Sequence, residues 1–327
     1  MSGFTLSGGL AFSGGFTITE APVLPPENTA AWFAGGAYGY GSTSVDRITF
    51  ATDTATASVR GPLSSETYFL AAASNTTYAW FGGGSGGYPG PVSTVQRITY
   101  ATDTAAPSVR GPLSSARYAL GAAGNTTDGW FGGGKLGGPS YAVISTVDRI
   151  TYATDTATAS VRGPLSLAIT SLAAVGNTTD GWFGGGYLSP TLRTTVNRIT
   201  YATDTATASV RGPLSVAVRQ LAAAGNNDYG WFGDGKLGAP SNAPRSTVDR
   251  ITYATDTATA SVRGPLSSAR YGLGAAGNTT DGWFGGGGPS NVSTVDRITY
   301  ATDTATASVR GPLSLGRLGL AAAGGIQ

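Results

Sequence analysis

The sequence predicts an all-β chain folded as a six-bladed β-propeller of four-stranded antiparallel blades, and three observations lead there. A phrase running from Trp130-Phe131-Gly132-Gly133-Gly134 through Asp148-Arg149-Ile150-Thr151-Tyr152 to Leu172-Ala173-Ala174 recurs, nearly unchanged, from about residue 28 to the end. Its tryptophans (Trp32, Trp80, Trp130, Trp182, Trp231 and Trp283) lie 48 to 52 residues apart, a period typical of propellers and other repeat arrays. Gly-Gly-Gly, Gly-Pro and Asn-Thr-Thr-Asp-Gly elements interrupt the chain so often, with 51 glycines in 327 residues, that long helices have no room.

The third copy shows each strand of a blade. Leu120-Gly121-Ala122-Ala123-Gly124 is small and apolar, as an innermost strand must be to crowd its counterparts at a narrow axis; it is strand a. Asn125-Thr126-Thr127-Asp128-Gly129 tolerates positive φ and forms Asx turns, so it predicts a tight hairpin into strand b, Gly129-Trp130-Phe131-Gly132. After a loop of variable length, strand c is Thr146 to Tyr152, with Asp148, Ile150 and Tyr152 on one face and Val147, Arg149 and Thr151 on the other. The turn Ala153-Thr154-Asp155-Thr156 leads into strand d, Ala159-Ser160-Val161-Arg162, which Gly163-Pro164 ends because proline has no N–H for a ladder.

The ends complement each other. Leu318 to Gly324 is a strand a with no strand b after it, and Asn28 to Phe33 is a strand b with no strand a before it. Pairing the C-terminal strand with the first N-terminal repeat completes the sixth blade and removes an exposed inner edge. The propeller is thus expected over residues 28–327. Residues 1–27 break the pattern: Phe4, Leu6, Leu10, Phe12, Phe16 and Ile18 alternate mostly with Ser, Thr and Gly, and Pro22, Pro25 and Pro26 form a stiff tether. Two readings stand for that segment, docking onto a neighbouring subunit by strand addition or packing over the propeller's own rim.

Composition excludes several function classes. A net charge of +2, evenly spread, makes no footprint for nucleic acid, and no apolar run is long enough to span a membrane. Met1-Ser2-Gly3-Phe4 lacks the basic start and apolar core of a signal peptide, so export is expected by another route, if at all. With no cysteine and no histidine, thiolate and imidazole chemistry are absent, and no cofactor or dedicated metal site is expected.

Arg47, Arg97, Arg149, Arg198, Arg250 and Arg297 fill one slot in strand c, and Asp53, Asp103, Asp155, Asp204, Asp256 and Asp303 fill one turn. A catalytic group is needed once and a fastener in every blade, so these are read as turn formers and inter-blade partners. That symmetry also argues against the central arginine cluster of sialidases. Glu20, Glu27 and Glu66 are the only glutamates and none recurs at a central position, which makes a propeller glycosidase the least favoured reading. Asp128, Asp180 and Asp281, with Asp228 and Asp234 in the fifth copy, raise calcium, but no copy has the dense oxygen-ligand pattern of a calcium loop and hairpin chemistry accounts for them. A weakly held ion stays open.

Binding is expected where the copies differ. The b–c loops contribute Tyr38, Tyr40, Tyr88, Lys135, Tyr141, Tyr187, Arg193, Lys236, Arg245 and Asn291, and the d–a connectors contribute Arg117, Tyr118, Arg270 and Tyr271. In an up-and-down blade both links emerge on one side, so these residues share one face of the disk. They suit sugars or protein, since aromatic faces stack and polar tips hydrogen-bond; the alternative is ordinary solvated loops.

The double glycine after strand b (Gly132-Gly133, Gly184-Gly185, Gly285-Gly286), the tyrosine ending strand c and the Pro-Leu-Ser-Ser-Ala-Arg-Tyr connector (Pro112 to Tyr118, Pro265 to Tyr271) resemble Kelch repeats. The tryptophan that Kelch repeats place in strand d is here Ala57, Pro107 or Ala159, and the indole sits in strand b. Copper radical oxidases share the Kelch-like ring but need histidine and cysteine. The wording Arg-Ile-Thr-Tyr-Ala-Thr-Asp-Thr-Ala-Thr-Ala-Ser-Val-Arg-Gly-Pro-Leu-Ser is similar to repeats of virion structural and tail-fibre proteins of marine cyanobacterial phages, over about residues 28–327. That resemblance implies a non-enzymatic, extracellular virion component. Its partners would be other virion proteins through the N-terminal segment and a host surface glycan or receptor through the variable face; nucleic acid and membrane insertion are not expected, and homo-oligomerisation stays open. The alternative function is a secreted or surface lectin with several weak sites.

Overall fold

A computed structural model describes residues 29–86 and 90–324. The docking candidates Phe4, Leu6, Leu10, Phe12, Phe16 and Ile18, and the loop residue Tyr88, lie outside the described residues. Six antiparallel sheets, each with strands a to d in order, form the blades. In blade 3 they are Gly121–Gly124, Asp128–Gly132, Val147–Thr151 and Ser160–Arg162. Blade 1 takes strand a from Leu318–Gly324 and strand b from Ala30–Tyr38, with Phe33 opposite Ala322. The ring therefore closes in the expected register.

Tyr152 does not continue strand c. It opens a short 3-10 turn, Tyr152–Thr154, which ends at Asp155. That bend lets the c–d turn of each blade reach the preceding blade. Asp155 Oδ2 accepts from Trp80 Nε1 at 2.8 Å and from Arg97 at 3.0 Å, and Arg110 Nε lies 3.5 Å away. Tyr152 stacks flat on Trp80, with centroids 3.7 Å apart. Each ring contact is large and desolvated, and each charge is paired where water is scarce, so the aspartate acts as a clasp.

The clasp recurs in every blade. Trp283, Arg297 and Arg310 of blade 6 converge on Asp53 of blade 1, with Phe50 replacing tyrosine in the stack. The expectation that the repeated Arg and Asp are inter-blade fasteners is met.

Gly-Pro after strand d also serves the clasp. Gly111 N–H donates to the Asp155 carbonyl at 2.8 Å, and Ala159 N–H donates to Pro112 at 2.9 Å. A Cβ on Gly111 would collide with the carbonyl of Ala157, so only glycine fits against this backbone. Gly111→Ala is therefore expected to cost about 2–3 kcal/mol, through a backbone shift at one blade boundary. Chemical denaturation checks this, and an unchanged midpoint would contradict the contact.

Small residues at the centre close the axis, as the alanine-rich inner strands predict. Ala72, Ala73, Ala123, Ala223, Ala275 and Ala322 are among the residues lining its narrow a–b hairpin end. The opposite end carries a feature absent from the sequence reading. Phe69 N–H donates to Gly319, Ala119 to Phe69, Ser171 to Ala119, Gln220 to Ser171, Gly272 to Gln220 and Gly319 to Gly272, all at 2.6–2.8 Å. This closed circle of six backbone hydrogen bonds holds all six residues at φ between 53° and 71°. Each blade thereby fixes its neighbour at the axis as well as at the clasp.

Candidate functional site

The b–c loops and d–a connectors do share one face, and they are knitted together by short ladders. Lys135 and Leu136 of a b–c loop pair with Tyr118 and Arg117 of the connector. Single bridges Tyr68↔Ser85, Thr170↔Tyr187, Arg219↔Lys236 and Tyr271↔Gly288 repeat the arrangement. These loops are thus braced by backbone bonds rather than left free, which limits the entropy lost when a ligand binds.

The predicted residues divide by exposure. Tyr38, Tyr40 and Tyr141 project at 61%, 85% and 61% exposure. Lys135, Tyr187, Arg193, Lys236, Arg245, Asn291, Tyr118 and Tyr271 are half-buried on the same face. Three cations cover aromatic rings there: Lys135 over Tyr141 at 5.7 Å, Arg219 over Tyr187 at 5.1 Å and Lys236 over Tyr271 at 5.0 Å. Such pairs hold the rings in place on this face.

Arg117 and Arg270 are corrections. Sequence places them beside tyrosines on the variable face, but they are 0% and 1% exposed. Arg117 turns inward to Asp148 at 3.1 Å and to the Phe131 carbonyl at 2.9 Å. Arg270 reaches Asp296 at 2.6 Å and the carbonyls of Gly286 and Thr294. Burial works against the charge of Arg117, and the facing Asp148 carboxylate opposes that effect. Alternation along the connector explains the error: Tyr118 points out because Arg117 points in.

The other face is built from hairpins of one design. Asn125 Oδ1 accepts from the N–H groups of Thr127 and Asp128, both at 2.9 Å. Asp128 Oδ1 accepts from Thr151 Oγ1 at 2.6 Å and its Oδ2 from Thr127 Oγ1 at 2.7 Å. Asp180 and Asp281 repeat these bonds, so hairpin chemistry accounts for all three. Asp234 does not belong with them. It lies beyond strand b at the opposite end of the blade, in a slot where blade 3 has Gly133, and is 3% exposed.

The two cavities along the axis are lined mainly by apolar side chains and backbone, with Ser74, Ser171 and Gln220 and no ionisable side chain among the described residues. Leu70, Leu120, Leu172, Leu221, Leu273 and Leu320 surround a cavity of about 60 Å³ beneath the circle of backbone bonds. Among the described residues, no group of three or more acidic, histidine or cysteine side chains is placed to hold a metal ion.

No family model matches the chain, and no curated protein matches it. A solved structure described as "Structure of YjhT" is similar to it, with a TM-score of 0.61 at 13% identity over 78% of this chain and 86% of that one. At that identity the likeness is one of fold, and it agrees with the six-bladed ring.

Proposed function

We propose that the protein is a rigid recognition scaffold, a structural component of a phage particle that presents its variable face to a host glycan or receptor. The observation that supports this most is the division between the faces. Clasps, hairpins and inner strands repeat almost without change, while sequence variety and the exposed aromatics Tyr38, Tyr40 and Tyr141 gather on one side. Variation on a fixed frame is the arrangement of a binding surface, and tyrosine gives contact area at low entropic cost. The virion setting rests on the resemblance of the long repeated phrase to phage tail-fibre repeats. An axis whose described cavity lining holds no carboxylate suits a scaffold better than a glycosidase, which needs paired carboxylates.

Glycan binding is the more specific ligand class, because exposed rings next to cationic and amide groups match the apolar faces and hydroxyls of sugars. Tyr38→Ala with Tyr40→Ala is expected to weaken saturable binding on a glycan array by roughly tenfold or more, equivalent to about 1.4 kcal/mol or more, with Tm unchanged. Full binding by that double variant and by Tyr141→Ala would remove these rings from the site. Incorporation of a tagged chain into particles tests the virion setting separately.

A further inference from the structure

Blade 5 breaks a rule that the other five blades keep. Each blade pairs the seventh residue of the Gly-Pro connector leading into its strand a with the second residue of its strand c. In blades 1, 3 and 6 this pair is Arg317–Asp46, Arg117–Asp148 and Arg270–Asp296, at 2.9, 3.1 and 2.6 Å. In blades 2 and 4, where the arginine is replaced by Thr67 and Ile169, the acid is replaced too, by Gln96 and Asn197. In blade 5 the arginine is Val218, yet Asp249 remains, 6% exposed. A buried carboxylate without its cation is costly, so the exception calls for another partner.

The surroundings describe that partner. Asp249 keeps the bonds from Ser215 N–H at 2.9 Å and Ser215 Oγ at 2.7 Å that Asp148 also receives from Ser114. What it lacks is the connector guanidinium, which in blades 1 and 3 also donates to the carbonyls of Phe33 and Phe131. Phe232, the counterpart of those two, lines the same small cavity as Asp249.

A second carboxylate lines that cavity. Asp234 stands at φ 60° in the slot where blade 3 has Gly133 at φ 70°, and neither of its oxygens receives a hydrogen bond. Arg270 Nε lies 3.8 Å from Asp234 Oδ2, but that guanidinium is already bonded to Asp296. Arg245 also borders the cavity and donates to Thr247 Oγ1 at 2.7 Å. Two carboxylates, Asp234 and Asp249, thus line the cavity with one cation, Arg245, while Arg270 outside the lining is shared between Asp234 and Asp296, which leaves one negative charge without a counterpart.

We propose that this cavity binds one small monovalent cation, held by Asp234 and Asp249 in the place where blades 1, 3 and 6 put a guanidinium. Its room, about 10 Å³, is that of one water-sized body, which a potassium-like ion matches. A single uncompensated negative charge matches a monovalent ion rather than a divalent one.

Thermal unfolding at constant ionic strength tests the proposal, with potassium or rubidium chloride against tetramethylammonium chloride, whose cation is too large to enter. The parent chain is expected to gain roughly 2 °C or more in Tm with the small cations. Asp234→Gly, which restores the glycine found in other copies, and Val218→Arg, which supplies the guanidinium, should each abolish the difference. A parent indifferent to the cation, or the same gain in Asp234→Gly, overturns the site, and neither result depends on whether Val218→Arg folds. Crystals grown in rubidium chloride should show an anomalous peak between Asp234 and Asp249; its absence there also overturns the assignment.

Discussion

Replacing Asp155 by alanine is expected to destabilise the protein by about 3–5 kcal/mol, because it strands two arginines and an indole N–H that converge on one oxygen. Trp80 Nε1, Arg97 and Arg110 all point at Asp155 Oδ2, at 2.8, 3.0 and 3.5 Å. The aspartate side chain is only 6% exposed, so water cannot readily take its place. Asp155→Asn keeps an acceptor oxygen and loses the charge, so it should cost less than alanine. Asp53→Ala is the informative companion. Its partners Trp283, Arg297 and Arg310 lie more than 200 residues away in sequence, so an equal loss requires the last blade to sit against the first. Equilibrium unfolding in urea of the three variants measures this, and an Asp53→Ala protein as stable as its parent would contradict a closed ring.

Deleting Leu318–Gln327 is expected to abolish the monomeric fold. The strand Leu318–Gly324 buries Leu320, Ala321 and Ala323 and pairs along Ala31–Ala37. Lost apolar burial alone is on the order of 5 kcal/mol. The circle of backbone bonds at the axis would also lose Gly319, leaving Phe69 N–H without its acceptor. The bared edge of strand b is a template for pairing with another chain, so oligomers or aggregates should replace the monomer in size-exclusion chromatography. A truncated chain that elutes as a compact monomer with parental melting would show that the strand is dispensable.

Much of this architecture was legible because each blade repeats its own instructions. The small inner strands, the Asn-led hairpins and the Gly-Pro stops fix strand order locally, and the complementary ends give the closure, down to Phe33 facing Ala322. The Arg and Asp slots could be read as fasteners from their recurrence alone. Recurrence could not say which atoms meet, so Trp80 as a third donor to Asp155 emerged only with the fold. Connector residues were harder. Arg117 and Tyr118 are adjacent and both polar enough for a surface, and only the pairing with Leu136 and Lys135 decides that one is buried. Asp234 was mistaken for hairpin chemistry because it is an acid close to strand b. Its true signal was comparative: it occupies a glycine slot in the blade whose connector has also lost its arginine.

The most direct test of the closed ring is a single disulfide. Ala37 and Leu318 are directly opposite across the strand pair that joins the two ends, both are half-exposed, and the chain has no cysteine of its own. Ala37→Cys with Leu318→Cys, oxidised at low protein concentration, should give a monomer two hydrogens lighter that runs faster without reductant. Free thiols, or disulfide-linked dimers alone, would contradict a ring sealed between its first and last repeats.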